Sequence, residues 1–495
     1  MRYVYLPLDD RPCTTGFPVQ LARAAGEEVA FPRDMCEKDY RAAYPFEKAL
    51  AFVKEHAGND VRLILSVDQW CYGGLLQSRS MSTADEKTAL ERLEELGKIK
   101  ACYPGMQIHA YSVIMRASIS TLSQKDIVHY NDMTLYCQLK HRAHLSGSEE
   151  DKNALAEVEA RLPEELLMHY LGVRQRNHRV NAACVDMAKA GVLNTLMLLQ
   201  EDAQIYGLHR LEQEKLLEQM GKEHPGIYLH NGADEGGCVA LLAALCRDRN
   251  VFPSLAVEYL REDMGEFVAR YEDRPFHENL NSYLQCMGIE NTKQADSILL
   301  ILSPDAHGQG DMTDDVQEMD TSELRRSFAQ KAKKHHEAGK RVYLLDLTLA
   351  NGGLPGILQS IDEEMGLENL WGYHAWNTTC NSLGSMLAQI LSDMLAGKKN
   401  EGFLWERIMD DCMYESVLRQ KLRRMVMERG EDPFSLADRN RAIEELNALA
   451  AQEMEKWPFF AKMPGSWKYS LPWPRVFECR AQCEVKDRSG AGKTF

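Results

Sequence analysis

A chain of 495 residues, 44% hydrophobic and 27% charged, can bury a large core, and its length favours two or three domains. Its formal net charge of −16 excludes a nucleic-acid surface, which needs clustered Lys and Arg. With no apolar stretch long enough to cross a bilayer, and an N-terminus that enters a strand without a signal segment, a cytoplasmic protein with no membrane partner is expected.

Strand-like runs at 3–8, 28–31, 61–67 and 107–114 alternate with amphipathic stretches at 46–56 and 84–99. That is the rhythm of βαβ units and a mostly parallel sheet. From 118 to 190 the pattern turns helical and polar, with a loop at 146–151, and reads as an insertion. Strands resume at 194–200 and 227–231, with a helix at 212–220 between them. A second series follows: strands at 254–259, 297–302, 341–347 and 371–375, helices at 280–287, 322–338, 354–365 and 383–396. Beyond 397 the chain is helical and charged, then rich in Trp and Pro, and 486–495 reads as a disordered end. The fold class expected is α/β: two Rossmann-like lobes with mostly parallel sheets facing a cleft. The first lobe spans 1–250 with the insertion 118–190, the second 251–400, and 401–495 forms a helical extension. An irregular (β/α) barrel on the first eight strands is the alternative. Thirteen cysteines, scattered without paired close spacing, read as free thiols, and structural zinc is not expected.

The strands end in acids, and groups at the carboxyl ends of parallel strands share one crevice. Asp9-Asp10-Arg11-Pro12 follows the first, where the acids serve either chemistry or the capping of the next helix. Asp68 follows the third, with Trp70, Tyr72 and the pair Gly73-Gly74 close behind. Aromatics beside a carboxylate suit a sugar, whose C–H face packs on a ring while acids take its hydroxyls. Glu201-Asp202 and Asp234-Glu235 each place two acids past a strand, one able to face the crevice while the other caps. Gly236-Gly237 then opens an apolar helix whose bare N-terminus could hold an anion. Trp376, Asn377 and Asn381 follow the last strand of the second series, with Asp346 and Asn351-Gly352-Gly353 before them. The acidic stretch 305–311 is a lid or a plain solvent loop. No dinucleotide or P-loop fingerprint is present, and no zinc-protease or serine-hydrolase motif.

Four of these segments carry a resemblance: L-D-D-R-P at Leu8–Pro12, S-x-D-x-x-x-Y-G-G-L at Ser66–Leu75, G-A-D-E at Gly232–Glu235 and W-N-T-x-x-N-x-L-G at Trp376–Gly384. Together they resemble the bacterial family called domain of unknown function 4127, over roughly residues 1 to 400. The resemblance implies that the segments belong to one architecture, and it implies no substrate.

The residues point first to a glycosidase acting on small oligosaccharides, because glycoside cleavage needs a carboxylic acid and a carboxylate. Asp10, Asp68, Asp202, Asp234 and Glu235 are the catalytic candidates, with Asp68 as the ionised partner and Glu235 or Asp202 as the acid. Arg11 and Arg116 are expected to bind hydroxyls or a substrate carboxylate, Trp70, Tyr72 and Trp376 to stack, and Asn377 and Asn381 to hydrogen-bond. No cofactor is required. Alternatively, the same acids hold Mg²⁺ or Mn²⁺ in a hydrolase or lyase, or the cleft binds a sugar without chemistry.

Overall fold

Long apolar runs bounded by polar turns fold as strands buried on both faces, and they set the architecture. The computed structural model describes residues 1–37, 41–120, 127–221, 225–304, 309–311, 322–485 and 493–494. They form two units: Met1–Asn250 with Tyr271–Arg274 and Asn281–Met287, and Val251–Arg270 with Pro275–Leu280 and Gly288–Phe495.

The first unit is built on strands β1 (Arg2–Leu6), β2 (Val29–Ala30), β3 (Val61–Ser66), β4 (Gln107–Ile114), β5 (Thr195–Gln200) and β6 (Ile227–Asn231). Their order is β2-β1-β3-β4-β5-β6, and every pairing is parallel. The chain steps from β1 out to β2, then returns to β3 on the other side of β1. Connections leave β1 and β3 in opposite directions, so a crevice opens at their carboxyl ends. The alternating sides of the strands meet different helices. Val4, Leu6, Leu63, Leu65, Ile108 and Leu196 cluster with Leu93 and Val180 of the helices Glu86–Cys102 and Glu164–Lys189. Tyr5, Tyr111 and Leu199 face the helix Gly236–Asp248.

That last contact explains the paired glycines. A Cβ on Gly236 would lie 2.6 Å from Leu199 Cδ1 and 2.8 Å from the Tyr111 ring, and one on Gly237 would collide with the Tyr5 hydroxyl. The pair lets a helix lie against tyrosines, so the expected anion-binding role gives way to packing. Gly237→Ala is expected to cost about 1–3 kcal/mol by overpacking, read as a lowered urea midpoint; an unchanged midpoint would contradict the close fit.

The insertion forms helices Ile127–Ser146, Glu149–Glu159 and Glu164–Lys189, with a small core of its own around Met133, Tyr136, Leu162 and Tyr170.

The second unit carries β7 (Ser254–Tyr259), β8 (Glu290–Asn291), β9 (Ser297–Leu302), β10 (Gly310–Asp311), β11 (Arg341–Asp346), β12 (Leu349–Ala350) and β13 (Gly372–His374). Five of them form a parallel sheet in the order β13-β11-β9-β7-β8, and β10 pairs with β12. Taken in sequence, the strands of this five-stranded sheet repeat the excursion of the first: one step outward, then a return past the starting strand. Both sheets are open, which rules out the barrel.

The segment from 401 onward packs into the second unit. Its helices Glu401–Arg407, Arg419–Glu428 and Arg439–Met454 flank and follow a π-helix, Ile408–Leu418. An antiparallel sheet of β14 (Ser466–Ser470), β15 (Arg480–Val485) and β16 (Lys493–Thr494) follows. Met413, Tyr414, Leu422, Leu446 and Tyr469 share one core with Leu300, Leu344 and Ile357 of the parallel sheet and its helices. The apolar stripes of these helices are buried in the unit they complete.

All thirteen cysteines are free thiols. No helix among the described residues is long and apolar enough to cross a membrane. Of the stretch 305–311, residues 305–308 lie outside the described residues, as does most of 486–495. Gln309 is described: its side-chain amide donates to the carbonyls of Leu347 and Leu349, each at 3.1 Å.

Candidate active site

Five neighbouring strands of the first sheet each deliver charged residues just past their carboxyl ends. After β1 come Asp9, Asp10 and Arg11, all buried. Pro12 then opens the helix Pro12–Ala24, and its fixed φ suits a first helical position while Arg11 stays extended. Held there, Arg11 bridges two loops. Its Nε donates to Asp9 Oδ2 at 2.9 Å, and its two Nη groups donate to both oxygens of Asp234 at 2.9 and 2.6 Å. Asp9 also accepts from the Arg11 backbone N–H at 3.1 Å and from Thr14 Oγ1 at 2.8 Å. Against its burial, the Arg11 charge and these bonds hold the Asp9 carboxyl below the ordinary range. Burial pushes Asp234 up, and the same guanidinium pulls against it. Arg11 therefore ties the loops after β1 and β6 together, rather than presenting its fork to a substrate as expected.

After β3, Ser66 caps a one-and-a-half-turn helix, Val67–Tyr72, by accepting from the Gln69 N–H at 3.2 Å. Asp68 sits in its first turn, buried, with Oδ2 accepting the Val113 N–H at 2.8 Å. Burial raises its carboxyl to about 7, and the charge of Glu201 adds to the rise. The expected ionised partner is thus a group that holds a proton near neutral pH.

Beyond β4 stands Arg116, and beyond β5 stand Glu201 and Asp202. Arg116 pairs with Asp202, and its Nε lies 3.9 Å from Glu201 Oε1. Arg79, from the 3-10 turn Gln77–Arg79, pairs with Glu201 and donates from Nη1 to Ser120 Oγ at 2.7 Å. Burial lowers the Arg79 guanidinium to about 10, although Glu201 supports its charge. Glu201 Oε2 is buried without a hydrogen-bond partner among the described residues.

After β6, Glu235 closes its own loop: Oε2 accepts the Ala233 N–H at 3.0 Å, and Oε1 is in contact with the Tyr283 hydroxyl. That hydroxyl also lies 2.9 Å from the Asn231 carbonyl. Burial raises Glu235 to about 8.

The expected stacking walls are not there. Trp70 is wholly buried in the core, donating its indole N–H to the Arg92 carbonyl at 2.6 Å and meeting Phe46 edge-on. Tyr72 is 2% exposed, with the Arg176 guanidinium over its ring at 4.2 Å. On so short a helix, facing the helix Glu86–Cys102, both rings turn into apolar packing. Gly73 ends the helix in the left-handed region at φ 87°, and a Cβ there would lie 2.7 Å from the Tyr44 carbonyl. The glycine serves the chain's own backbone.

Trp376, Asn377 and Asn381 belong to the second unit. Trp376 and Asn381 are buried, and Asn377 holds a left-handed φ of 51° with its carbonyl accepting the Asn351 N–H at 2.8 Å. Asp346, at the end of β11, accepts from the Thr348 and Leu354 N–H groups at 3.1 and 3.0 Å and fastens the loop between them.

Sequence reasoning passed over Asp9, Glu201 and Arg79. The first two stood in the acid pairs and could have been chosen by alternation. Arg79 lies 122 residues from Glu201, and no local pattern marks it. Among the described residues no three His, Cys, Asp or Glu side chains are grouped to hold a metal ion; the acids here face arginines.

A family model described as "Protein of unknown function (DUF4127)" matches residues 3–482, taking in the C-terminal segment beyond 400. No curated protein and no solved structure matches.

Proposed function

This chain belongs to the DUF4127 family, and we propose that it is a cytoplasmic glycosidase acting on small carbohydrates through Asp68 and Glu201. One observation carries the reading. Two buried carboxyl groups stand at the carboxyl edge of one parallel sheet, and burial, with the charge of Glu201 adding to it, raises the proton affinity of Asp68. Asp68 holds a proton near pH 7. Glu201, backed by Arg79, keeps one oxygen without a hydrogen-bond partner among the described residues.

In the reaction Asp68 gives its proton to the glycosidic oxygen as the bond to the anomeric carbon breaks. Glu201 stabilises the positive charge developing on the sugar ring. The oxygen of a water then joins the anomeric carbon, and its proton restores the carboxyl pair. With Trp70 and Tyr72 in the core, hydrogen bonds and charge rather than ring stacking would hold the substrate.

The test is a panel of aryl glycosides, run with and without EDTA, on the wild type and Glu201→Gln. Release that survives EDTA and falls about 10²–10⁴-fold in the variant is expected. Release abolished by EDTA would replace the reading with metal-dependent chemistry on the same acids. Silence across the panel would remove it in favour of a sugar-binding protein.

A further inference from the structure

We propose that the substrate of this site carries a carboxylate, as in a uronic-acid glycoside, and that the carboxylate docks between Arg79 and Arg116. The proposal rests on the glycosidase reading for its setting and adds the class of sugar.

The two arginines reach Glu201 from different elements, Arg79 from the 3-10 turn and Arg116 from the loop after β4. An Nη group of each is engaged, Arg79 with Glu201 and Arg116 with Asp202. The Nε–H groups of both are buried and have no acceptor among the described residues. The Arg116 Nε lies 3.9 Å from Glu201 Oε1, beyond hydrogen-bond reach. A buried donor left unmade costs about 1–3 kcal/mol, and folded proteins leave few. Here two occur on one carboxylate, Glu201, whose own Oε2 is an unpartnered acceptor.

The vacant set is therefore two donors and one acceptor. A hexuronate offers the complement: two carboxylate oxygens that only accept, and a neighbouring hydroxyl that donates. A neutral sugar can also accept from an N–H, but its bond is about half as strong as one to a carboxylate. The sequence expectation of a carboxylate-binding Arg116 is retained, with Arg79 in place of Arg11.

Titration calorimetry on the full chain, with D-glucuronate, D-galacturonate, D-glucose and glucose 6-phosphate, tests it without requiring turnover. A uronate should bind at least about tenfold more tightly than glucose, a gap of about 1.4 kcal/mol. Arg116→Gln should erase that preference, and Arg116→Lys should keep part of it, with circular dichroism confirming that both variants fold. Equal affinity for glucose, preference for the phosphate, no uronate binding, or an unchanged preference in Arg116→Gln would each overturn the proposal. Uronate binding with no glycoside cleaved would leave the anion subsite and remove the glycosidase. Cleavage of neutral glycosides with no uronate preference would do the reverse.

Discussion

Asp68→Asn is expected to inactivate the protein and stabilise it at the same time. Loss of the proton donor should lower kcat about 10²–10⁴-fold. In the wild type the step that needs a protonated Asp68 should fade as pH rises through about 7. Stability runs by a related argument. Unfolded, the Asp68 carboxyl ionises near its ordinary value of 3.8; folded, it ionises only near 7. Between those values the folded state keeps a proton that the unfolded state has lost, so stability falls as pH rises across that window. The full cost is on the order of 4 kcal/mol at pH 8. Asparagine cannot ionise and keeps an oxygen for the Val113 N–H, so it escapes that cost. Urea unfolding at pH 5 and pH 8 should show an advantage for the variant that grows with pH. A difference that stays flat with pH, or a variant that remains active, would remove Asp68 from the proposed role.

The second large effect is expected at Arg11. Arg11→Met leaves Asp9 and Asp234 buried without the guanidinium that both face. Removing one partner of a buried ion pair typically costs about 3–5 kcal/mol, because the charge left behind has no water to turn to. The deficit against wild type should shrink between pH 8 and pH 5, since both carboxyls can then take protons. Denaturant midpoints measure it. A deficit below about 1 kcal/mol, or one that widens on acidification, would mean that the bridge does not hold the loops.

How much of this was legible in the sequence depends on how local the signal is. Largely apolar runs bounded by polar turns mark parallel strands, so Gln107–Ile114, Ile227–Asn231, Ser254–Tyr259 and Ser297–Leu302 were readable to the residue. Two-residue strands such as Glu290–Asn291 carry no such run. The packing of the C-terminal segment was not legible, because amphipathic helices look alike whether they stand apart or cover a neighbour; only the shared core around Tyr414 and Leu344 distinguishes the two. At the site, the acids were visible as a class and their roles were not. Asp68 holds its proton through burial, with the charge of Glu201 adding, and Glu201 pairs with Arg79, all through contacts that join distant stretches of chain. Trp70 and Tyr72 failed for a simpler reason. An aromatic after a strand is equally at home in a site or in a core, and a six-residue helix decided for the core.

Strict parallel order also has an electrical consequence. Where every strand points the same way, the helices that follow begin at the same edge: Pro12–Ala24 after β1, Val67–Tyr72 after β3 and Gly236–Asp248 after β6. Their aligned peptide dipoles turn positive ends toward the carboxylates gathered there. The backbone thus supplies a standing field that helps keep several negative charges together. Dissolved salt screens charges where its ions can enter, over about 8 Å at physiological strength. It weakens exposed pairs such as Arg2 with Asp60, and it barely reaches a field made by the peptide groups of a packed interior.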